Sequence, residues 1–276
     1  VASDLRVAYL GPAGTNSEVA ALRAYPDAEH LPCPTIVAAV RALEAEQADR
    51  AVVPIENSLQ GTVTDTVDLL VHDDGIAICG ELVLPIEHCL MVQPGTDRAA
   101  IDVIYSHPQS LGQCRRYLEA HFPRARTEAA LSNAEAVAVM MRTPGAAAIG
   151  PARAADIYGA RIIERGIQDS RVNKTRFVAL AREGAPPTGR DKTSLAFAVA
   201  HDRPGTLVSV LHEFSDRQIN MTKIESRPSG EELGVYIFLI DIEGHRDDSL
   251  VAQALAAVKE QADFFKVFGS YPAWTE

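Results

Sequence analysis

Cysteine, positive charge and long apolar runs are all scarce in this chain of 276 residues, and each shortage removes a class of function. Its four cysteines, Cys33, Cys79, Cys89 and Cys114, are widely separated and form no CxxC pair. Neither a secreted disulfide framework nor a zinc site is expected, and the thiols read as buried or inert. The eight histidines form no HExxH or other close ligand cluster, so no metal is expected. Lysine and arginine number 26 against 37 acidic residues, a formal charge of -11 that would repel nucleic acid or an anionic membrane. A small anionic substrate remains compatible, given a few arginines focused in a cleft. No apolar run is long enough to span a bilayer, and the start VASDLRVAYLGPAG has no basic leader before an apolar core. A cytoplasmic location is therefore expected. GxGxxG and GxxxxGK are missing too, which leaves a nucleotide site unsupported.

What is present is an ordinary globular composition, 47% hydrophobic and 23% charged, with length for one or two domains. Leu5–Leu10 reads as a strand, GPAGTNS as a turn and Glu18–Tyr25 as a helix. In that layout free N–H groups at the helix start hold an anion, with Thr15 and Ser17 adding hydroxyls, or Ser17 simply caps the helix. Thr35–Glu46 reads as an amphipathic helix with Ile36, Val40 and Leu43 on one face. Ala51–Ile55 reads as a buried strand ending in Glu56, Asn57 and Ser58, side chains aimed into the crevice at the carboxyl edge of a parallel sheet or used as caps.

Gly75–Val92 reads as two strands and Val103–Tyr105 as another, ending in Ser106, His107, Pro108, Gln109 and Ser110. A helix, Leu111–Phe122, follows, with Gln113 on its first turn. His107 lacks serine and carboxylate partners at a recognisable spacing, which favours a structural or substrate-contacting role over a general base. Helices at Asn133–Met141 and Ala152–Tyr158 alternate with strands at Ala146–Ile149 and Arg161–Glu164. Then comes VNKTRFVALA, in which Asn173, Lys174, Thr175 and Arg176 stand at the mouth of the apolar run Phe177–Leu180. Polar clusters follow strands in both halves, so two α/β lobes with a cleft between them are expected.

After the Pro- and Gly-rich stretch REGAPPTGRDK the pattern changes to strand Thr193–Ala200, helix Gly205–Arg217, strands Met221–Pro228 and Leu233–Ile242, helix Leu250–Ala262 and strand Lys266–Tyr271. That order, βαββαβ, is ferredoxin-like. Arg203, Pro204 and Gly205 lead into its first helix and Glu225, Ser226 and Arg227 end its second strand; with no nucleophile and base pair, it reads as a binding module.

GPAGTNS, VVPIENSLQGTV, SHPQSLGQC, YGARII with GIQD, NKTRF, and then DKTSLAF, RPGTLVSVL and INMTKIESRP together resemble the prephenate dehydratase family with a C-terminal ACT regulatory domain. The resemblance covers nearly the whole chain. It implies a two-lobed catalytic region similar to the type II periplasmic-binding fold over residues 1–182 (lobe one about 1–76 plus 173–182, lobe two about 77–172), a linker over 183–191 and an ACT domain over 192–276. It implies conversion of prephenate to phenylpyruvate, water and carbon dioxide without a cofactor. It also implies phenylalanine as feedback effector and self-association through the ACT domains as a dimer or tetramer. By the same resemblance Thr175 donates to the leaving hydroxyl, and Arg176 either clamps a carboxylate or forms a structural ion pair. Glu56 is the candidate true acid, and Asn57, Ser106 and Gln113 are hydrogen-bond partners of substrate or transition state. Thr15, Ser17, Ser58, His107, Gln109, Asn173 and Phe177 complete the expected substrate site. Pro204, Gly205, Thr206, Leu207, Val208, Asn220, Glu225, Ser226, Arg227 and Pro228 form the expected phenylalanine site. Three positions depart from the family pattern: Asn16 where Phe is usual, Ser110 where Ala is common, and Thr206 where Ala is usual. Arogenate dehydratase, and a non-catalytic amino-acid sensor on the same frame, are the alternative readings.

Overall fold

The computed structural model describes residues 5–199, 204–230 and 235–275; Ala200, Arg203 and Leu233, named above at element ends, lie outside them. In chain order the elements are β1 (Arg6–Leu10), α1 (Asn16–Ala24), β2 (Glu29–Cys33), α2 (Ile36–Glu44), β3 (Arg50–Asn57), β4 (Gly61–Thr62), α3 (Thr64–His72), β5 (Ala77–Pro85) and β6 (Cys89–Val92). Then follow β7 (Val103–Ser106), α4 (Pro108–Gln113), α5 (Arg115–His121), β8 (Arg126–Ala129), α6 (Asn133–Met140), β9 (Ala146–Gly150), α7 (Ala152–Tyr158), β10 (Arg161–Glu164) and β11 (Lys174–Ala181). The last third holds β12 (Asp191–Ala198), α8 (Thr206–Ser215), β13 (Met221–Pro228), β14 (Tyr236–Glu243), α9 (Ser249–Gln261) and β15 (Phe264–Pro272). The chain forms two compact units, one of residues 1–66 and 82–177, the other of residues 67–81 and 178–276.

Two of the sheets are ordered β2-β1-β3-β11-β5, with β4 beside β3, and β10-β6-β9-β7-β8. β1 is parallel to both β2 and β3, and its middle residues Val7, Ala8 and Tyr9 are buried, as a strand covered on both faces requires. In the second sheet β9 lies centrally, parallel to β7 and antiparallel to β6. Its all-buried AAAIG is small enough to let α6 pack closely through Ala136, Val137 and Met140. Both sheets aim strand ends carrying polar residues, Asn57 and Ser106, at the turns that follow.

The expected single helix over 111–122 is two helices broken at Cys114. The Asp169 carboxylate explains the break: it accepts from Arg116 N at 3.1 Å and Tyr117 N at 3.4 Å, capping α5 as a separate helix.

In the second unit the strands run β13-β14-β12-β15, all antiparallel, with α8 and α9 on one face. Leu195, Phe197, Ile240 and Ile242 meet Val210, Phe214, Val251 and Val258 there. On the alternate side of β12, Lys192 pairs with Glu81 at 2.7 Å, and Lys266 of β15 reaches Asp74 at 2.9 Å. The backbone of β5 approaches β15 so closely that a Cβ on Gly269 (φ +156°) would stand 2.8 Å from Ile78 N, so only glycine fits.

Candidate active site

β3 and β11 bring the polar ends of two expected motifs together. Asn57 is buried, and its Nδ2 donates to Asn173 Oδ1 and to Thr175 Oγ1, each at 2.9 Å, with Lys174 O at 3.2 Å. Its Oδ1 accepts from Leu59 N at 3.0 Å and Gln60 N at 3.2 Å. Backbone N–H groups only donate, so the orientation of this amide is fixed. Thr175 therefore receives a hydrogen bond, and its own proton is left to give away. Asn173 Nδ2 donates to Gln113 Oε1 at 3.0 Å, and His88 Nε2 lies 2.8 Å from the same oxygen.

Arg176 and Glu56 form an ion pair at 3.7 Å, with side chains 12% and 34% exposed. Of the two roles considered for Arg176, the ion pair is present. Ser58 is used within the scaffold: its hydroxyl donates to Val172 O at 2.8 Å and accepts from Lys174 N at 2.9 Å, stapling the β3 turn to the start of β11. Phe177 is 2% exposed and packs in the interior.

A second group of expected residues lines a cavity of about 810 Å³. Thr15, Ser17 and His107 face it, together with Asn16, Cys33, Asn133 and Tyr158. Among the described residues its lining includes neither lysine nor arginine, nor Thr175 or Asn57, so the expected site residues fall into two groups. Thr15 caps α1, accepting from Glu18 N and donating to Leu10 O, each at 3.2 Å. His107 caps α4 through Nδ1, which accepts from Gln109 N at 3.3 Å, and burial holds its pKa below the ordinary histidine value. Ser106 is fully buried, bonded to Asn133 Oδ1 at 3.0 Å and Ile149 O at 2.9 Å, and so holds the turn that presents His107.

Asn133, His88, Glu18 and Arg153 are given no role in the site by the sequence. Asn133 Oδ1 ties Ser106 Oγ to the His107 N–H. His88 closes the amide chain. Glu18, 6% exposed, accepts from Gly14 N at 2.7 Å and from Arg153 Nε at 3.1 Å, joining α1 of one lobe to α7 of the other. Its T-x-x-E spacing after Thr15 is a capping-box signature that marks it in advance. Gly14 (φ +90°) lets the backbones meet, since a Cβ there would be 3.2 Å from Ala154 Cα.

In the second unit, Gly205 (φ +91°) precedes α8, Pro204 and Val208 are exposed, and Thr206 and Leu207 are half-buried. Asn220 is exposed, its carbonyl accepting from Glu243 N at 2.9 Å. Along β13, Glu225 and Arg227 are half-buried and alternate with exposed Ser226 and Pro228. Glu225 pairs with Lys223 at 3.2 Å, and Arg227 pairs with Asp68 of α3. The ESRP residues thus divide between two faces of one strand.

Two α/β lobes with polar residues at their strand ends, followed by an antiparallel βαββαβ unit, define a small-molecule enzyme frame carrying a regulatory-type module. The profile of the prephenate dehydratase family matches residues 7–185, and that of the ACT domain matches residues 193–260. The chain belongs to the prephenate dehydratase family. It is 40% identical over 270 residues to the bifunctional chorismate mutase/prephenate dehydratase of Aquifex aeolicus (strain VF5), covering 97% of this chain and 74% of that protein. It is 42% identical over 290 residues to arogenate dehydratase 3, chloroplastic, of Arabidopsis thaliana, covering 98% of this chain and 68% of that protein. The prephenate dehydratase of Arthrobacter aurescens, solved in complex with L-Phe, superposes with a TM-score of 0.89 at 34% identity, over 98% of this chain and 90% of that one.

Proposed function

We propose that this chain is a prephenate dehydratase, converting prephenate to phenylpyruvate, water and carbon dioxide. The observation that carries the reading is the fixed amide of Asn57 against Thr175 Oγ1 at 2.9 Å. Prephenate is a cyclohexadiene with a hydroxyl opposite a ring carboxylate. As the carboxylate leaves as carbon dioxide, its bonding electrons enter the ring, and the hydroxyl leaves from the far carbon, taking up a proton to become water. Aromatisation drives both cleavages, so the protein need only assist the departing oxygen and hold the dianion. Thr175, already accepting from Asn57, donates to that oxygen. Threonine is a poor acid, so it orients a hydrogen bond or relays a proton supplied through it. Glu56 is the neighbouring carboxyl group, and its pairing with Arg176 keeps the cation beside the site. Thr15, Ser17 and His107 contribute to holding the substrate.

We assign residues 1–182 to the catalytic region and residues 192–276 to the regulatory domain, joined by 183–191. Phenylalanine is the effector, bound near the start of α8 and β13 in an assembly paired through these modules, in the cytoplasm. The L-Phe complex of the Arthrobacter aurescens protein supports the effector. Likeness to arogenate dehydratase 3 supports arogenate, the amino analogue, as a second substrate reading. Purified protein is assayed with prephenate and with arogenate, following phenylpyruvate and phenylalanine respectively. Phenylpyruvate formation inhibited by added phenylalanine is expected; product from arogenate alone transfers the assignment, and no product from either rejects both.

A further inference from the structure

The direction of every hydrogen bond between Thr175 and His88 follows from one fixed point. Leu59 N and Gln60 N can only donate, so Asn57 must present Oδ1 to them and Nδ2 to Asn173 and Thr175. Asn173 must then offer its oxygen to Asn57 and its nitrogen to Gln113, 3.0 Å away. Gln113 must answer with Oε1, which leaves His88 Nε2, at 2.8 Å from that oxygen, as a donor. The chain of forced assignments ends on an imidazole, a group able to carry its proton on either nitrogen.

His88 is 2% exposed, and burial holds its pKa below the ordinary value, so near neutral pH the ring has one proton. Among the described residues its Nδ1 and the Nε2 of Gln113 are buried without a hydrogen-bond partner. The proton thus belongs on Nε2. Were it on Nδ1, bare Nε2 would face Gln113 Oε1, lone pair against lone pair. Turning Gln113 over to relieve that clash would set N–H against N–H at Asn173, and turning Asn173 in answer would set N–H against N–H at Asn57, whose amide cannot follow.

Resting on Thr175 as the donor in the reaction proposed above, we propose that His88 is a positioning residue for Gln113 and Asn173, the amides that complete the network around Asn57 and Thr175. Held as the neutral Nε2–H tautomer, it fixes Gln113 and Asn173 in the orientation that matches the amide of Asn57, itself set by Leu59 N and Gln60 N, so that Asn173 Oδ1 takes one Nδ2 proton of Asn57 and the other stays on Thr175. His88 itself touches no reacting atom. What it supplies is one donor at one place, so a side chain that reproduces the donor should replace the ring.

Two measurements on the full-length protein test this. In long-range proton–nitrogen spectra of ring-labelled protein near pH 7, the histidine signal lost in His88→Gln is expected to show a protonated Nε2 and a bare Nδ1; a protonated Nδ1 overturns the proposal. In turnover assays His88→Leu is expected to lower kcat by about tenfold, as for a lost buried hydrogen bond, with KM changed by less than about threefold. His88→Gln, whose amide nitrogen replaces Nε2, is expected to recover most of the turnover. Equal activity of His88→Leu and wild type, or equal loss in both variants, overturns it. A wild-type protein inactive on prephenate and arogenate fails the functional reading instead, and the tautomer spectrum still judges the hydrogen bond.

Discussion

Asn57 Nδ2 lies 2.9 Å from Thr175 Oγ1 across the junction of β3 and β11, and the amide cannot turn over because its oxygen is held by two backbone N–H groups. The relationship makes the two residues separable by mutation. Thr175→Ala removes the donor and is expected to cut kcat by about two orders of magnitude or more, with the fold retained. Asn57→Asp keeps the size but replaces an amide donor by an acceptor, so the threonine hydroxyl turns toward residue 57 and away from substrate. A loss of kcat of about tenfold or more is expected there too. Steady-state kinetics alongside thermal unfolding checks both, and near-normal turnover in Thr175→Ala would sink the assignment.

Much of this site stands in the sequence as polar residues at strand ends. Asn57 and Thr175 each follow or open an apolar run, and that pattern places them at one edge of a sheet. Helix α7 over Ala152–Tyr158 and strand β13 over Met221–Pro228 are likewise legible from periodicity and flanking Gly or Pro. Edge strand β2 is not, because EHLPC is mostly exposed and carries Pro32, a residue that edge strands tolerate and that reads as a break. Helix α3 has Val67, Leu70 and Val71 at helical spacing but spans only nine residues, a signal easily passed over. The His88–Gln113 and Glu18–Arg153 contacts join residues 25 and 135 positions apart, and no local pattern encodes such pairs.

The Glu18 carboxylate serves two purposes at once. It completes the cap of α1 through Gly14 N and meets Arg153 of the opposite lobe. Glu18→Ala removes both and is expected to cost about 1–2 kcal/mol of stability, the range for a lost cap. Arg153→Met removes only the contact between lobes and is expected to leave a smaller deficit. Urea unfolding with a common slope reads the two values, and a larger loss in Arg153→Met contradicts this division.

Lys192 and Glu81 form the most enclosed ion pair of the second unit described above, at 2.7 Å with side chains 18% and 2% exposed. Glu81 also accepts from Trp274 N at 3.0 Å. Lys192→Met takes the cation at 2.7 Å from a buried carboxylate and is expected to destabilise the fold by up to about 3–5 kcal/mol, whereas Lys192→Met with Glu81→Gln is expected to be closer to wild type than the single variant. A double variant no better than the single one, measured by denaturant unfolding, refutes the assignment of the loss to the Lys192–Glu81 ion pair.

Acid should weaken the fold through His88. Burial lowers its folded-state pKa below the ordinary value, while the hydrogen bond to Gln113 pulls the other way. Between that lowered pKa and about 6.5 the unfolded chain binds a proton that the folded chain refuses, so stability rises with pH across this window and falls as pH drops through it. The slope from one such group is at most about 1.4 kcal/mol per pH unit. His88→Gln cannot take up that proton, while the other titrating groups are common to both proteins. The stability of wild type relative to His88→Gln is therefore expected to shrink from pH 7.5 to about pH 5 in urea titrations. A difference that stays constant over that range would mean that His88 already titrates alike in folded and unfolded chains.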